Sequence, residues 1–344
     1  MPSQAPRPRF VGMMVDSDFS RADWWDALRG TLVATVILLV LVPTGRIDLA
    51  LPLSIGAVFT AIAESGLPFG RRWRTMLWTT LWLMVAMAIA VTVSESVVLT
   101  ILITAPVALV CGAVGYLGPR AAVAGLVSLV VFAAYAGVPM GAVNAPREAA
   151  LIGLGGLLQT GVCVIIGAIR QHGALPALDP VHHPSIRALR TDQKQFLRHG
   201  IRLAILMTIA TAISELWTIP HAYWLPVAVA WMTKPERNGT VTRVIQRVAG
   251  TALGVAIIGI PSLLLEPTLT FYVVFATIGS AIAIAFIWVS YHIGVSGVTI
   301  WILAMIGLAG DPLGEDIGLR LGLTVAGAVL VYCGTLLWRV KALD

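Results

Sequence analysis

The chain has 344 residues, 58% hydrophobic and 12% charged, with a formal net charge of +6 at neutral pH. A soluble chain carries about 25% charged residues, so this composition describes a polytopic membrane protein, and a helical one, because lipid admits only helices and closed barrels. Twelve spans of about 20 residues leave no room for a fused nucleotide-binding cassette, kinase or capture domain, and the positive charge belongs to topology rather than to nucleic-acid binding.

In chain order, residues 1–26 read as a cytoplasmic segment. Asp16, Asp18, Asp23 and Asp26 precede the first apolar run with no small-residue cleavage site, unlike a removable signal peptide. Ser20 and Asp23 are spaced as a capping box, and Trp24 and Trp25 suit a lipid–water interface, so a short interfacial helix is expected. Six apolar segments at 28–43, 47–63, 76–93, 97–115, 120–138 and 149–169 make a first transmembrane unit, 27–169. A polar linker, 170–196, carries His182 and His183 without ligand partners. A second unit, 197–344, holds segments at 200–217, 222–233, 243–262, 269–289, 291–309 and 320–338. Pro52, Pro106 and Pro226 interrupt some of these, leaving ten or eleven spans as an alternative count.

With the N terminus in the cytoplasm, only Arg46, Arg147 and Arg320 of the 23 lysines and arginines fall outside. That asymmetry orients a multi-pass membrane protein with both termini cytoplasmic.

A repeat at a separation of 173 residues relates the halves. Ala136-Gly137-Val138-Pro139-Met140-Gly141 matches Ala309-Gly310-Asp311-Pro312-Leu313-Gly314, and six residues on, Arg147 matches Arg320. Gly161 pairs with Gly334, Arg29 with Arg202 and Arg74 with Arg247, and Leu51-Pro52 pairs with Leu225-Pro226 after one residue of slippage. Two parallel six-helix repeats follow, with a solute path expected in the cleft between them.

Charges held at membrane depth are the functional candidates, since each costs a few kcal/mol unless paired or wetted. Arg29, Arg202, Arg74 and Arg247, all at cytoplasmic span ends, form a mouth suited to anions, with lipid headgroup contact as the competing role. Tyr223, Trp224 and Trp231 on a Pro-bent span 8 suit either an interfacial belt or a path for a flat aromatic solute. His221 lies near the outer surface. Gln159 and its repeat mate Tyr332 are polar positions in apolar sequence, open to a path or to interhelical hydrogen bonding. Glu64 and Glu95 are candidate proton carriers. Gly250 and Gly254, four apart, make a ridge for a close helix neighbour. Cys111, Cys163 and Cys333 fall in apolar runs and read as packing residues. No nucleotide, hydrolase or zinc motif occurs, so neither catalytic residues nor a metal or other cofactor are expected.

Arg237-Asn238-Gly239-Thr240-Val241-Thr242-Arg243, continuing through Arg247, Gly250, Thr251 and Gly254 and preceded by Trp224 to Lys234-Pro235, resembles the fusaric acid resistance or aromatic acid exporter family. The matching positions of the first half, Leu77-Trp78, depart from the Gly250-Thr251 pattern, and the linker is shorter than in longer members. The resemblance implies efflux of aromatic or other weak organic acids across a bacterial inner membrane, driven by protons, with Arg202 and Arg247 holding a carboxylate and Tyr223, Trp224 and Trp231 shaping an aromatic site. The related aluminium-activated malate transporters imply a passive anion channel as the alternative, and a non-transporting scaffold is a further one. The expected partners are the lipid bilayer, a small organic anion and a second copy of the chain, not nucleic acid.

Overall fold

The computed structural model describes residues 24–64, 69–170, 186–217, 219–235, 237–311 and 313–337. The capping box, the two linker histidines and Pro312 lie outside them. Twelve α-helices follow in order: α1 (Trp24–Leu41), α2 (Ile47–Glu64), α3 (Phe69–Val93), α4 (Val97–Ala113), α5 (Pro119–Ala136), α6 (Ala145–Arg170), α7 (Ile186–Leu216), α8 (Trp224–Met232), α9 (Arg237–Leu264), α10 (Leu269–Phe286), α11 (Tyr291–Ala309) and α12 (Leu313–Leu337). Eleven are long and apolar enough to cross a membrane, and the described residues contain no strand.

The exception is α8. It has nine residues, all buried, and at about 1.5 Å per residue it covers less than half of a bilayer core. The expected span over 222–233 is therefore a short internal helix. Its flanking backbone is irregular, which membrane depth tolerates because protein surrounds it. Thr233 donates to the Val229 carbonyl, and Thr240 caps the Lys234 backbone from both sides. Several other helices begin earlier than expected. In α7, α3 and α9 the added first turns are largely polar and hold no proline, so the helix continues past its apolar stretch.

Outward faces are apolar along whole helices, as in Leu28, Leu32, Val36 and Leu39 of α1. That pattern fits lipid rather than water. The core is built by α2, α8 and α11, which carry the densest runs of buried residues. Corresponding packings occur in the two sets of six helices. α3 lies against α5 and α6 as α9 lies against α11 and α12, while α1 packs on α10 and α4 on α7 across the sets.

Small residues bring the backbones together. A Cβ on Gly250 would stand 2.3 Å from the His292 carbonyl oxygen, and one on Gly254 2.6 Å from that of Ser296. The ridge read from the sequence is thus the contact of α9 with α11. Gly137 does the same for a side chain, since a Cβ there would meet the Tyr223 Cβ at 2.5 Å.

A candidate anion cavity above unpaired arginines

A cavity of about 370 Å³ opens where the two sets of six helices meet, lined by α2, α5 and α6 from the first and α8, α11 and α12 from the second. That volume lies near the lower end of the roughly 300–1,000 Å³ range of small-molecule pockets. Its walls are apolar and aromatic, including Phe59, Tyr135, Trp224 and Trp301. Its mouth holds the charges: Asp48, Arg147, Glu148, His221 and Asp311. Arg147 is neutralised there, bonded to Asp48 and, at 2.7 Å, to Glu148. His221 reaches Asp311 at 3.6 Å, hydrogen-bonds the Tyr223 hydroxyl at 3.1 Å and stacks on Trp224 at 4.9 Å. It holds a positive φ of 55° in the turn that starts α8.

Arg320 points into this cavity from α12 and is 1% exposed. Its guanidinium sits 5.0 Å from the centre of the Trp224 ring, and Nε and one terminal nitrogen have no hydrogen-bond partner. One helical storey deeper, the arrangement recurs. Trp231 follows Trp224 by seven residues, two turns and about 10 Å along the same face of α8. Arg247 of α9 lies 5.6 Å from the Trp231 ring, with 0% exposure and all three guanidinium nitrogens without a partner. One turn further along α9, Arg243 lies 3.3 Å from the ring centre of Tyr291, whose hydroxyl donates to the Trp231 carbonyl at 3.3 Å. Arg247 repels both Arg243 and Arg320.

This column is a cost to the fold. Burying an ion costs several kcal/mol even after relaxation, whereas a desolvated cation–π contact returns about 2 kcal/mol. The indole N–H groups of Trp224, Trp231 and Trp301 and the hydroxyls of Thr251 and Thr299 are also buried without partners. Among the described residues, the buried carboxylates are Asp26, Glu64 and Glu148, all in the first half. Among the described residues the buried Arg247 and Arg320 of the second half thus have no buried carboxylate in their own half, an environment complementary to an anion.

Of the residues expected to bind substrate, the cavity gathers Tyr223 and Trp224. Trp231 and Arg247 lie beneath it, in the column. Arg202 is buried and donates to the Lys234 carbonyl, tying α7 to the end of α8. Arg29 is not a free anion site: it bonds Asp26 at 3.0 Å and Glu64 at 2.7 Å, and Glu64 also accepts from the Cys163 thiol at 3.2 Å. Arg72 joins the cluster through Asp26. Arg74 packs on its neighbour Trp73. Gln159 is fully buried with both amide atoms unpartnered, away from the cavity. Tyr332 is 47% exposed on the outer surface of α12, so the two repeat mates occupy opposite environments. Glu64 is buried and Glu95 exposed. In the family stretch, Arg243, Thr251 and the two glycines face the interior, while Lys234 accepts from Arg202. The side chain of Arg237 lies outside the described residues.

The sequence reading missed Arg320. Its signal was present, since Arg320 lies within an apolar run and repeats Arg147, but it had been placed in an outer loop with topological charges.

A helical bundle with eleven helices long and apolar enough to cross a membrane, and an apolar cavity beside buried arginines, defines a polytopic membrane protein. Residues 209–334, from within α7 to the end of α12, match the family described as fusaric acid resistance protein-like. This is the family recognised in the Arg237–Gly254 stretch. The chain is 28% identical over 146 residues to the inner membrane protein YccS of Escherichia coli, covering 41% of this chain and 20% of that one. It is 30% identical over 117 residues to the uncharacterised protein slr1298 of Synechocystis, covering 34% and 15%. An uncharacterised protein of Neisseria gonorrhoeae is 28% identical over 155 residues, covering 45% and 37%. The matches thus span little more than a third of these relatives at most. No solved structure matches.

Proposed function

We propose that the protein is an inner-membrane carrier that exports aromatic or other weak organic acids, with the cavity as its binding site and Arg320 as the carboxylate partner. One observation carries the reading: a buried, unpaired guanidinium lies over an indole at the floor of an apolar cavity of small-molecule size. Arg320 supplies a donor fork for a carboxylate, and Trp224, Phe59 and Tyr135 supply flat apolar walls for a ring. The family match adds to this. With the N terminus in the cytoplasm, the cavity opens to the outside, which makes this conformation the one that releases cargo. Coupling to protons is part of the proposal, with the buried Glu64 as the candidate carrier.

The test is accumulation of radiolabelled 4-hydroxybenzoate in efflux-deficient bacterial cells, with and without a protonophore. Expression is expected to lower accumulation, and uncoupling to abolish the difference. Accumulation unchanged by expression across a panel of aromatic and aliphatic acids would overturn the reading.

A further inference from the structure

Along α8 the cavity is lined by Trp224 and Val227 and not by Trp231, yet donors without acceptors continue further along the helix. Arg247 is the extreme case, with no exposure and no hydrogen-bonding or ionic partner on any nitrogen. Its surroundings repeat the cavity floor: a guanidinium over an indole, with a second unpartnered indole N–H, that of Trp231, on the same face of α8. A purely structural arginine at this depth would be expected to bond a carbonyl or carboxylate, as Arg29 and Arg202 do.

We infer that Arg247 is a second, inner anion station, and that the route inward from the cavity runs along α8 inside the second helical half, past Trp231, rather than down the seam between the halves. The inference rests on the proposed organic-anion function and specifies its path. Trp224 and Trp231, about 10 Å apart, divide the route into two storeys, each with its own arginine. In the present conformation Arg247 is fully buried beside the Trp231 ring and does not line the cavity. An anion moving outward from Arg247 to Arg320 exchanges one buried cation for another and never enters an interior without a countercharge. Arg243, one turn deeper on α9 and stacked on Tyr291, extends the series towards the opposite face. Gly250 and Gly254 hold α9 against α11 and so fix the position of Arg247 on the face towards α8.

The test uses the purified full chain and radiolabelled 4-hydroxybenzoate, with binding measured in detergent, transport in proteoliposomes and thermal unfolding measured without the anion. Arg247→Met is expected to keep cavity binding within about threefold of wild type and to lose transport by at least about tenfold. Its melting temperature is expected to be no lower than that of wild type, because removing an unpaired buried charge relieves the fold. Arg247→Lys, which keeps the charge without the fork, is expected to recover part of the transport. Transport by Arg247→Met within about twofold of wild type would overturn the inner station. A lower melting temperature for Arg247→Met would also overturn it, since the arginine would then serve the fold. Failure of the wild type itself to bind 4-hydroxybenzoate or other aromatic carboxylates would instead remove the organic-anion reading on which the inference rests, and appears before any substitution is made.

Discussion

Arg147 and Arg320 each lie six residues past an Ala-Gly-x-Pro-x-Gly stretch and both line one cavity, yet the first is bonded to two carboxylates and the second to none. The difference lies in their neighbours. Glu148 follows Arg147, whereas Leu321 follows Arg320. In the slipped register that pairs Pro52 with Pro226, Asp48 corresponds to Ala222. The first half therefore carries carboxylate partners for its cation, and the second places none beside Arg320. The same contrast separates Arg29, paired with Asp26 and Glu64, from Arg247.

From this follows an outcome for Arg320→Gln. A hydrogen bond to a charged group contributes about 1.5–3 kcal/mol, so binding of 4-hydroxybenzoate to the purified protein should weaken by roughly tenfold to a hundredfold. Thermal stability without ligand should not fall, because the substitution deletes an unpaired buried charge. Equilibrium binding and melting of the same preparation check both halves of the expectation.

Glu64→Gln should behave in the opposite way. Glu64 is 1% exposed and bonds both Arg29 and Cys163, so its loss as an anion leaves Arg29 with Asp26 alone. Breaking a buried pair costs about 3–5 kcal/mol, and unfolding in detergent should move down accordingly. Replacing both partners together, as Arg29→Met with Glu64→Leu, should recover most of that loss. If Glu64 also carries the coupling proton, the double variant will be stable but its transport will no longer respond to a proton gradient.

Much of the fold was legible in the sequence because membrane-spanning helices announce themselves by length and apolarity. Gly250 and Gly254 indicated the close packing that α9 makes with α11. The failure at 222–233 has a physical cause. An apolar run shows burial, but it does not distinguish burial in lipid from burial in protein, and α8 is apolar all round because helices surround it. The site was legible in residue type and not in depth. Arginines at span ends look alike in sequence, whether they are neutralised by an acid from a distant helix, as Arg29 is by Glu64, or left bare, as Arg247 is. For Arg29 the acid that completes the pairing, Glu64, lies 35 residues away in sequence, beyond the reach of any local pattern.

Gly250→Ala should disturb the assembly of α9 with α11. The added Cβ would stand 2.3 Å from the backbone oxygen of His292, which has no flexible end to move aside. The helices would have to separate, and membrane helices associate chiefly through such close packing. A lower melting temperature is expected, together with weaker transport, because Arg247 lies on the same stretch of α9. Gly314→Ala, where a Cβ meets nothing within 4 Å, serves as the control and should leave both quantities within error of wild type.

Trp224→Leu separates recognition of the ring from recognition of the charge. The indole lines the cavity, stacks with His221 and lies 5.0 Å from the Arg320 guanidinium, so it is an aromatic wall beside the proposed carboxylate partner. Leucine keeps the site apolar but removes the flat face, and aromatic contacts contribute about 0.5–1.5 kcal/mol beyond buried area. Affinity for 4-hydroxybenzoate should therefore fall by roughly threefold to tenfold from stacking alone. Affinity for an aliphatic carboxylate of equal charge, such as hexanoate, should change by less than about twofold, because Arg320 remains in place. Equal losses for the two acids would show that the indole acts only by positioning Arg320, and would make the cavity a site for carboxylates in general rather than for aromatic ones. Loss of the aromatic preference with the charge response intact would assign ring recognition to Trp224 and charge recognition to Arg320.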